Sequence, residues 1–285
     1  MTDTDKLIDD LLTLAFAEDV GDGDHTTLST IPADAMGCQQ LIVKEEGILA
    51  GVEVAAKVFN KFDPELKMTV YIGDGAHVKP GDIAFKVEGR VRSLLQTERI
   101  MLNIMQRMSG IATTTARYQK CLEGTGARVL DTRKTTPGMR MLEKAAVKIG
   151  GGTNHRIGLF DMILIKDNHV DFAGGIDKAV HSAKEYCKAK GKDLRIEVEV
   201  RNTDEILQAI AAGVDRIMLD NFTPERTKAA VELIRSKAPG VEIESSGGIT
   251  LDTLADYGRC GVDFISVGAL THSVKGLDMS FKAVH

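Results

Sequence analysis

Apolar positions recur along the chain with two rhythms. Over residues 5–18 they fall at Leu7, Ile8, Leu11, Leu12 and Leu14, the spacing of a helix with one buried stripe. Short strand-like runs follow at 40–44, 68–72 and 83–87, separated by turn signals at Asp74-Gly75 and Pro80-Gly81-Asp82. A long helical pattern over 94–122 leads into the second part. There the runs 129–130, 162–165, 196–200, 217–219, 241–243 and 264–267 alternate with helical patterns, including 176–190, 203–212 and 224–237. Alternating strand and helix predicts a parallel sheet, and the near-regular repeat predicts a closed or nearly closed α/β barrel.

Functional groups cluster where these runs end. Asp131, Arg133 and Lys134 follow the first run, and Lys166 and Asp167 the second. Glu197 and Glu199 lie within the third, and Asp220 and Asn221 close the fourth. Ser245, Ser246, Gly247 and Gly248 follow the fifth, and Gly268 the sixth. In an α/β barrel these ends open on one face, which carries the active site. One polar strand end would be an ordinary wet loop, but six in succession point to a site.

Three constellations differ in chemistry. Residues 128–169 hold eight Lys and Arg against four acids, in a chain of net charge -5. Arg133-Lys134 and His155-Arg156 are read as loop residues suited to a polyanion, Arg by forked bonds and Lys as a movable charge. For Arg140, Lys144 and Lys148 a solvated basic face is an equal reading. ESSGG (244–248) and SVGALTH (266–272) are glycine-rich turns late in the barrel, where backbone N–H groups can hold phosphate. Glu199 and Asp220, on successive strands, could hold Mg²⁺, bind ribose hydroxyls or stabilise a carbocation. Glu197 shares a face with Glu199, so periodicity does not choose between them.

The net negative charge and the absence of Trp argue against nucleic-acid and membrane binding. Four scattered cysteines, with no CxxC pair, point to reduced thiols in a cytoplasmic setting. The acidic N-terminus does not read as a signal peptide.

These motifs together resemble the quinolinate phosphoribosyltransferase family. The resemblance is carried by TRKTTPG (132–138), GGGTNHRIGLFD (150–161), LIKDNH (164–169), EVEV (197–200), LDN (219–221), ESSGG and SVG (266–268). EDVGDGDHTT (18–27), Glu98-Arg99 with Leu102-Asn103, and SGI (109–111) add to it, in order along nearly the whole chain. It implies an N-terminal α/β sandwich over 1–111, an incomplete TIM-like α/β barrel over 112–273, and a segment 274–285 returning to the first domain. It also implies a homodimer or higher homo-oligomer in which Arg99 reaches the neighbouring subunit's site. Quinolinate binding maps onto Arg133, Lys134, His155, Arg156 and Lys166. Phosphate binding maps onto Ser246, Gly247, Gly248, Gly268 and His272. The implied catalytic set is Lys134, Lys166, Glu199 and Asp220, with the two acids near ribose and Mg²⁺; here the motif spacing selects Glu199 over Glu197.

The implied reaction joins quinolinate to 5-phosphoribosyl 1-pyrophosphate with loss of carbon dioxide, in NAD biosynthesis. Rival readings are a repurposed paralogue with another anionic substrate, a Schiff-base enzyme built on Lys166, and a pure anion-binding module.

Overall fold

The computed structural model describes residues 3–284; Met1, Thr2 and His285, at the ends of the two outer segments expected above, lie outside the described residues. The chain forms two compact units. One runs through Ala116 and adds Thr135–Gly151 and the segment from Leu270 onwards; the other comprises Arg117–Lys134 and Gly152–Ala269.

The first unit begins with helices α1 (Asp3–Asp19) and α2 (His25–Thr30), then strand β1 (Met36–Val43), β2 (Gly47–Ile48) and helix α3 (Val52–Phe62). Strands β3 (Lys67–Val70), β4 (His77–Val78) and β5 (Ile83–Arg90) precede the long helix α4 (Val91–Cys121). Its later pieces are α5 (Arg140–Ile149), α11 (Ala269–His272), which begins at the unit boundary, and β12 (Met279–Ala283). The main sheet is antiparallel, in the order β12-β1-β5-β3, so the late strand β12 borders β1. Helix α3 covers this sheet through Phe59, whose ring lies 6.2 Å from Phe85 and 6.0 Å from Phe281. A helix layer on one sheet gives the expected α/β sandwich.

The segment 140–149 corrects the sequence reading, which drew no helix there. The charges that hid its pattern are engaged: Glu143 is fully buried and accepts from Arg107 Nε at 2.7 Å, and Lys144 is buried rather than part of a solvated face. Arg107 also donates to Thr136 Oγ1 and the Thr271 carbonyl, which ties 135–151 and the late segment to α4. Gly150 ends α5 against α4, where a Cβ would come within 2.3 Å of the Ala112 carbonyl oxygen.

The second unit holds one parallel sheet. Its strands are β6 (Arg128–Leu130), β7 (Ile163–Ile165), β8 (Ile196–Val200), β9 (Arg216–Asp220), β10 (Glu242–Ser246) and β11 (Phe264–Ser266). Helices α6 (Asp167–Ala173), α7 (Ile176–Lys190), α8 (Thr203–Ala212), α9 (Pro224–Lys237) and α10 (Leu251–Gly258) connect them. The order β6-β11-β10-β9-β8-β7 leaves β6 and β7 as the two edges. A single parallel bridge, Leu130 to Thr153, continues the β6 edge. This is an incomplete TIM-like barrel with a seam between its first two strands.

Side chains on the two sheet faces differ sharply. Val198, Ile217, Leu219, Ile243 and Ile265 fill one apolar face at 0% exposure. The register pairs Glu197 with Arg216 and Arg216 with Glu242, then Glu199 with Met218 and Met218 with Glu244. Paired residues in a parallel sheet share a face, so the other face, the barrel interior, is unusually charged.

Candidate active site

The deepest layer of that interior is a closed charge network. Arg216 Nη1 lies 3.1 Å from Glu244 Oε2, and its Nη2 lies 2.8 Å from Glu242 Oε2. Its guanidinium also stacks 4.4 Å from the Phe264 ring centroid. Ser266 Oγ donates to Glu244 Oε1. His155 Nε2 lies 3.0 Å from Glu197 Oε2 and 3.4 Å from Glu244 Oε2. The Glu197 contact is ionic in distance but out of line for a straight hydrogen bond.

One proton is shared in this cluster. Burial, with Glu244 beside it, pushes Glu197 up to about 7. Burial would lower His155, but hydrogen bonding and charge from Glu197 and Glu244 outweigh it and raise the ring to about 9. Glu244 is held below the usual carboxylate range, because His155, Ser266 and Arg216 outweigh its burial. The Arg156 backbone N–H donates to His155 Nδ1 at 2.7 Å, so a proton on Nδ1 would displace it. That direct geometric constraint outweighs the upward pull on the ring and favours the Nε2–H tautomer, with the shared proton on the carboxylate side.

His155, Glu197 and Glu244 are close enough together to ligate a metal ion, the one such cluster among the described residues. A metal does not fit there, since Arg216 and the shared proton already balance the carboxylates and a further cation would face a buried guanidinium.

Above this layer lie the strand ends. Asp131 is fully buried and accepts from the His155 backbone N–H at 2.8 Å and from Asn154 Nδ2 at 2.5 Å. It is a clamp on the loop after the seam. Asp161 binds the Ile157 and Gly158 N–H groups and shapes the next turn. Between the two, Arg156 is half-buried; burial and the positive charge of Arg133 both lower its pKa. Exposed Arg133, next in the chain to exposed Lys134, thus lies near enough to half-buried Arg156 for their charges to repel.

Across the seam, Lys166 follows β7 and reaches Glu199 on β8, Nζ to Oε2 at 2.7 Å. His169 accepts the Lys166 backbone N–H on Nδ1, a capping role. Lys166 is 47% exposed at its side chain, not the desolvated amine that Schiff-base chemistry requires. Asp220, half-buried, accepts from Asn221 Nδ2 at 2.6 Å. Glu199 and Asp220 share the interior face of adjacent strands, and Ser246 pairs with Asp220 on β10.

The turn after β10 is built for close approach. Gly247 and Gly248 have φ of +102° and +61°, and Asn221 is left-handed at φ +54° with its N–H on the Ser246 carbonyl. A Cβ on Gly247 would come within 2.2 Å of Asn221 Oδ1. Positive φ at both glycines suits a tight turn in which the backbone can approach a ligand closely. Gly268 follows β11 in the same unit. Arg99, exposed on α4, and His272, with Nδ1 2.5 Å from Ser273 Oγ, belong to the first unit.

The sequence therefore named residues that the second unit gathers: Arg133, Lys134, His155, Arg156, Lys166, Glu199, Asp220 and the glycine turns. It missed Glu244 as a neighbour of His155, and Arg216 and Ser266 as partners of Glu244. Part of the signal was present as alternation: Glu197 and Glu199 in β8, Arg216 and Asp220 in β9, and Glu242, Glu244 and Ser246 in β10 fall on one parity of their strands.

No helix among the described residues is long and apolar enough to cross a membrane. The family model described as quinolinate phosphoribosyl transferase, C-terminal domain, matches residues 111–282, and its N-terminal domain counterpart matches 24–109. A relative from Arabidopsis thaliana, nicotinate-nucleotide pyrophosphorylase (carboxylating), chloroplastic, is 46% identical over 288 residues, covering 95% of this chain and 81% of its own. Quinolinate phosphoribosyltransferase (decarboxylating) 2b, mitochondrial, from Nicotiana tabacum is 42% identical, covering 96% and 81%. The solved nicotinate-nucleotide pyrophosphorylase of Francisella tularensis is 40% identical, with a TM-score of 0.90 over 100% of this chain and 98% of that one. With both domains matched and the polar barrel in place, the chain belongs to the quinolinate phosphoribosyltransferase family.

Proposed function

We infer that this chain converts quinolinate and 5-phosphoribosyl 1-pyrophosphate into nicotinic acid mononucleotide, pyrophosphate and carbon dioxide, in NAD biosynthesis. The observation that carries the reading is the juxtaposition of Arg133 with Arg156 in the same barrel as the Lys166–Glu199 pair. A dicarboxylate and a diphosphate need such a cationic mouth, and a developing ribosyl cation needs an acidic edge.

In this reading Arg133, Lys134, Arg156 and Lys166, with His155, hold the two ring carboxylates. Ser246, Gly247, Gly248, Gly268 and His272 hold phosphate groups. Glu199 and Asp220 face the ribose. Their all-oxygen donor set suits a hard, partly hydrated Mg²⁺ arriving with the diphosphate. Bound there, Mg²⁺ would neutralise charge on the departing pyrophosphate.

The pyridine nitrogen forms a bond to ribose C1 as the C1–O bond to pyrophosphate breaks, and Glu199 and Asp220 stabilise the positive charge at C1. The ring nitrogen is then cationic. The bond from C2 to its carboxylate breaks, leaving its electron pair on C2, which takes up a proton as carbon dioxide departs. Lys134 and Lys166 fix the ring through this sequence, and the protein's share is mainly positioning and electrostatics.

The working form is a homodimer or higher homo-oligomer, with Arg99 entering the neighbour's site. A cytoplasmic setting suits the four free cysteines. The test is an assay with quinolinate, 5-phosphoribosyl 1-pyrophosphate and Mg²⁺, with nicotinate in parallel and Lys134→Ala as control. Product from quinolinate alone, sharply reduced in a folded Lys134→Ala, is expected. Product from nicotinate, or from neither substrate, overturns the reading.

A further inference from the structure

Of the charge network, only His155 has a task in the reaction just described. Glu244 is 0% exposed; it accepts from Ser266 and Arg216, and His155 Nε2 lies 3.4 Å away. The imidazole presents Nε2 to Glu197 and Glu244 and accepts the Arg156 N–H on Nδ1. Its own backbone N–H is fixed by Asp131. The ring is therefore a strut between the barrel centre and the peptide that carries Arg156. A ring held at Nδ1 by a hydrogen bond and at Nε2 by the charge of two carboxylates passes their position on to its neighbour.

We propose that Glu244 is a positioning residue for quinolinate: through His155 it sets both that ring and the backbone at Arg156, the two neighbouring groups that meet the substrate. The proposal rests on the assignment of His155 and Arg156 to quinolinate. Within the network, Arg216 and Ser266 hold Glu244, and Glu197 Oε2 stands 3.0 Å from the same Nε2. A rotation of the ring would release the Nδ1 bond and shift the Arg156 peptide, and an arginine displaced by a fraction of an ångström loses forked geometry on a carboxylate.

The test combines Glu244→Gln, which keeps shape and removes charge, with Arg156→Ala, in the full chain. Quinolinate binding is measured by calorimetry, KM for both substrates by steady-state kinetics, and folding by thermal unfolding. Glu244→Gln is expected to weaken quinolinate binding about tenfold or more, leaving KM for 5-phosphoribosyl 1-pyrophosphate within about twofold. Added to Arg156→Ala, it should weaken binding by much less than it does alone. A folded Glu244→Gln with unchanged quinolinate affinity, equal weakening for both substrates, or full additivity with Arg156→Ala overturns the proposal.

Should Glu244→Gln not fold, Ser266→Ala removes one bond to Glu244 and is expected to give a smaller loss with the same split between substrates; no split overturns it. If the wild-type chain does not bind quinolinate, the functional reading fails separately. The strut is then judged by ¹⁵N chemical shifts of the His155 ring and the Arg156 amide: movement in the Glu244 or Ser266 variant supports it, and unmoved signals overturn it.

Discussion

Lys166 Nζ stands 2.7 Å from Glu199 Oε2, joining the ends of two neighbouring barrel strands. The pair brings a cation for a carboxylate and an anion for a ribosyl cation into one contact. Lys166→Ala and Glu199→Gln should each lower kcat/KM about 100-fold. The double variant should fall short of their product by a coupling of about 1–3 kcal/mol. A double-mutant cycle measures this, and strict additivity would separate the two roles.

Gly247→Ala tests the phosphate turn. Its φ of +102° disfavours any side chain, and the added methyl would meet Asn221 Oδ1 at 2.2 Å. The variant should raise KM for 5-phosphoribosyl 1-pyrophosphate about tenfold, with a smaller change for quinolinate. Equal changes for both substrates would place the turn outside phosphate binding.

Arg216 compensates two carboxylates at the barrel centre. Arg216→Met leaves Glu244 buried beside Glu197 with no guanidinium, which should cost about 3–5 kcal/mol in urea unfolding. A loss below about 1 kcal/mol would show that the shared proton suffices.

Asp63, in the first unit, sets an acid limit. Hydrogen bonding from Arg90 outweighs burial, with help from Ser93 and the Glu65 N–H, and lowers its carboxyl to about 2. The folded value lies below the unfolded one, so the stabilisation is full above about pH 4 and fades as pH falls towards 2. With Arg90 half-exposed, the contribution is about 1–2 kcal/mol. Asp63→Asn should remove it at pH 7, and the variant and wild type should converge in stability near pH 2. A gap that persists at pH 2 would assign the effect to packing.

Much of this was legible in the sequence where period and chemistry coincide. The patterns for 176–190, 203–212 and 224–237 match α7, α8 and α9 because each has one apolar stripe and buries no charged residue. α5 was illegible because Glu143 and Lys144 occupy its buried side, and their compensation comes from residues distant in sequence such as Arg107. The same cause hid the network under His155. In β8 the alternation of Glu with Ile and Val was plain, but both faces are buried, and no local rule says that the charged one faces the centre. The glycine turn was visible as Gly-Gly; the demand for it comes from Asn221, a strand away.

The border between β1 and β12 bears on how the chain is made. Leu41, facing Phe281, and Val43, facing Met279, are fully buried, yet their partners are synthesised only after the whole barrel. Until then β1 has one open hydrogen-bonding edge, the kind that pairs with foreign strands. The first unit therefore waits on the second during translation, and a ribosome stalled within the barrel would carry an aggregation-prone nascent chain whose first sheet has everything but its last strand.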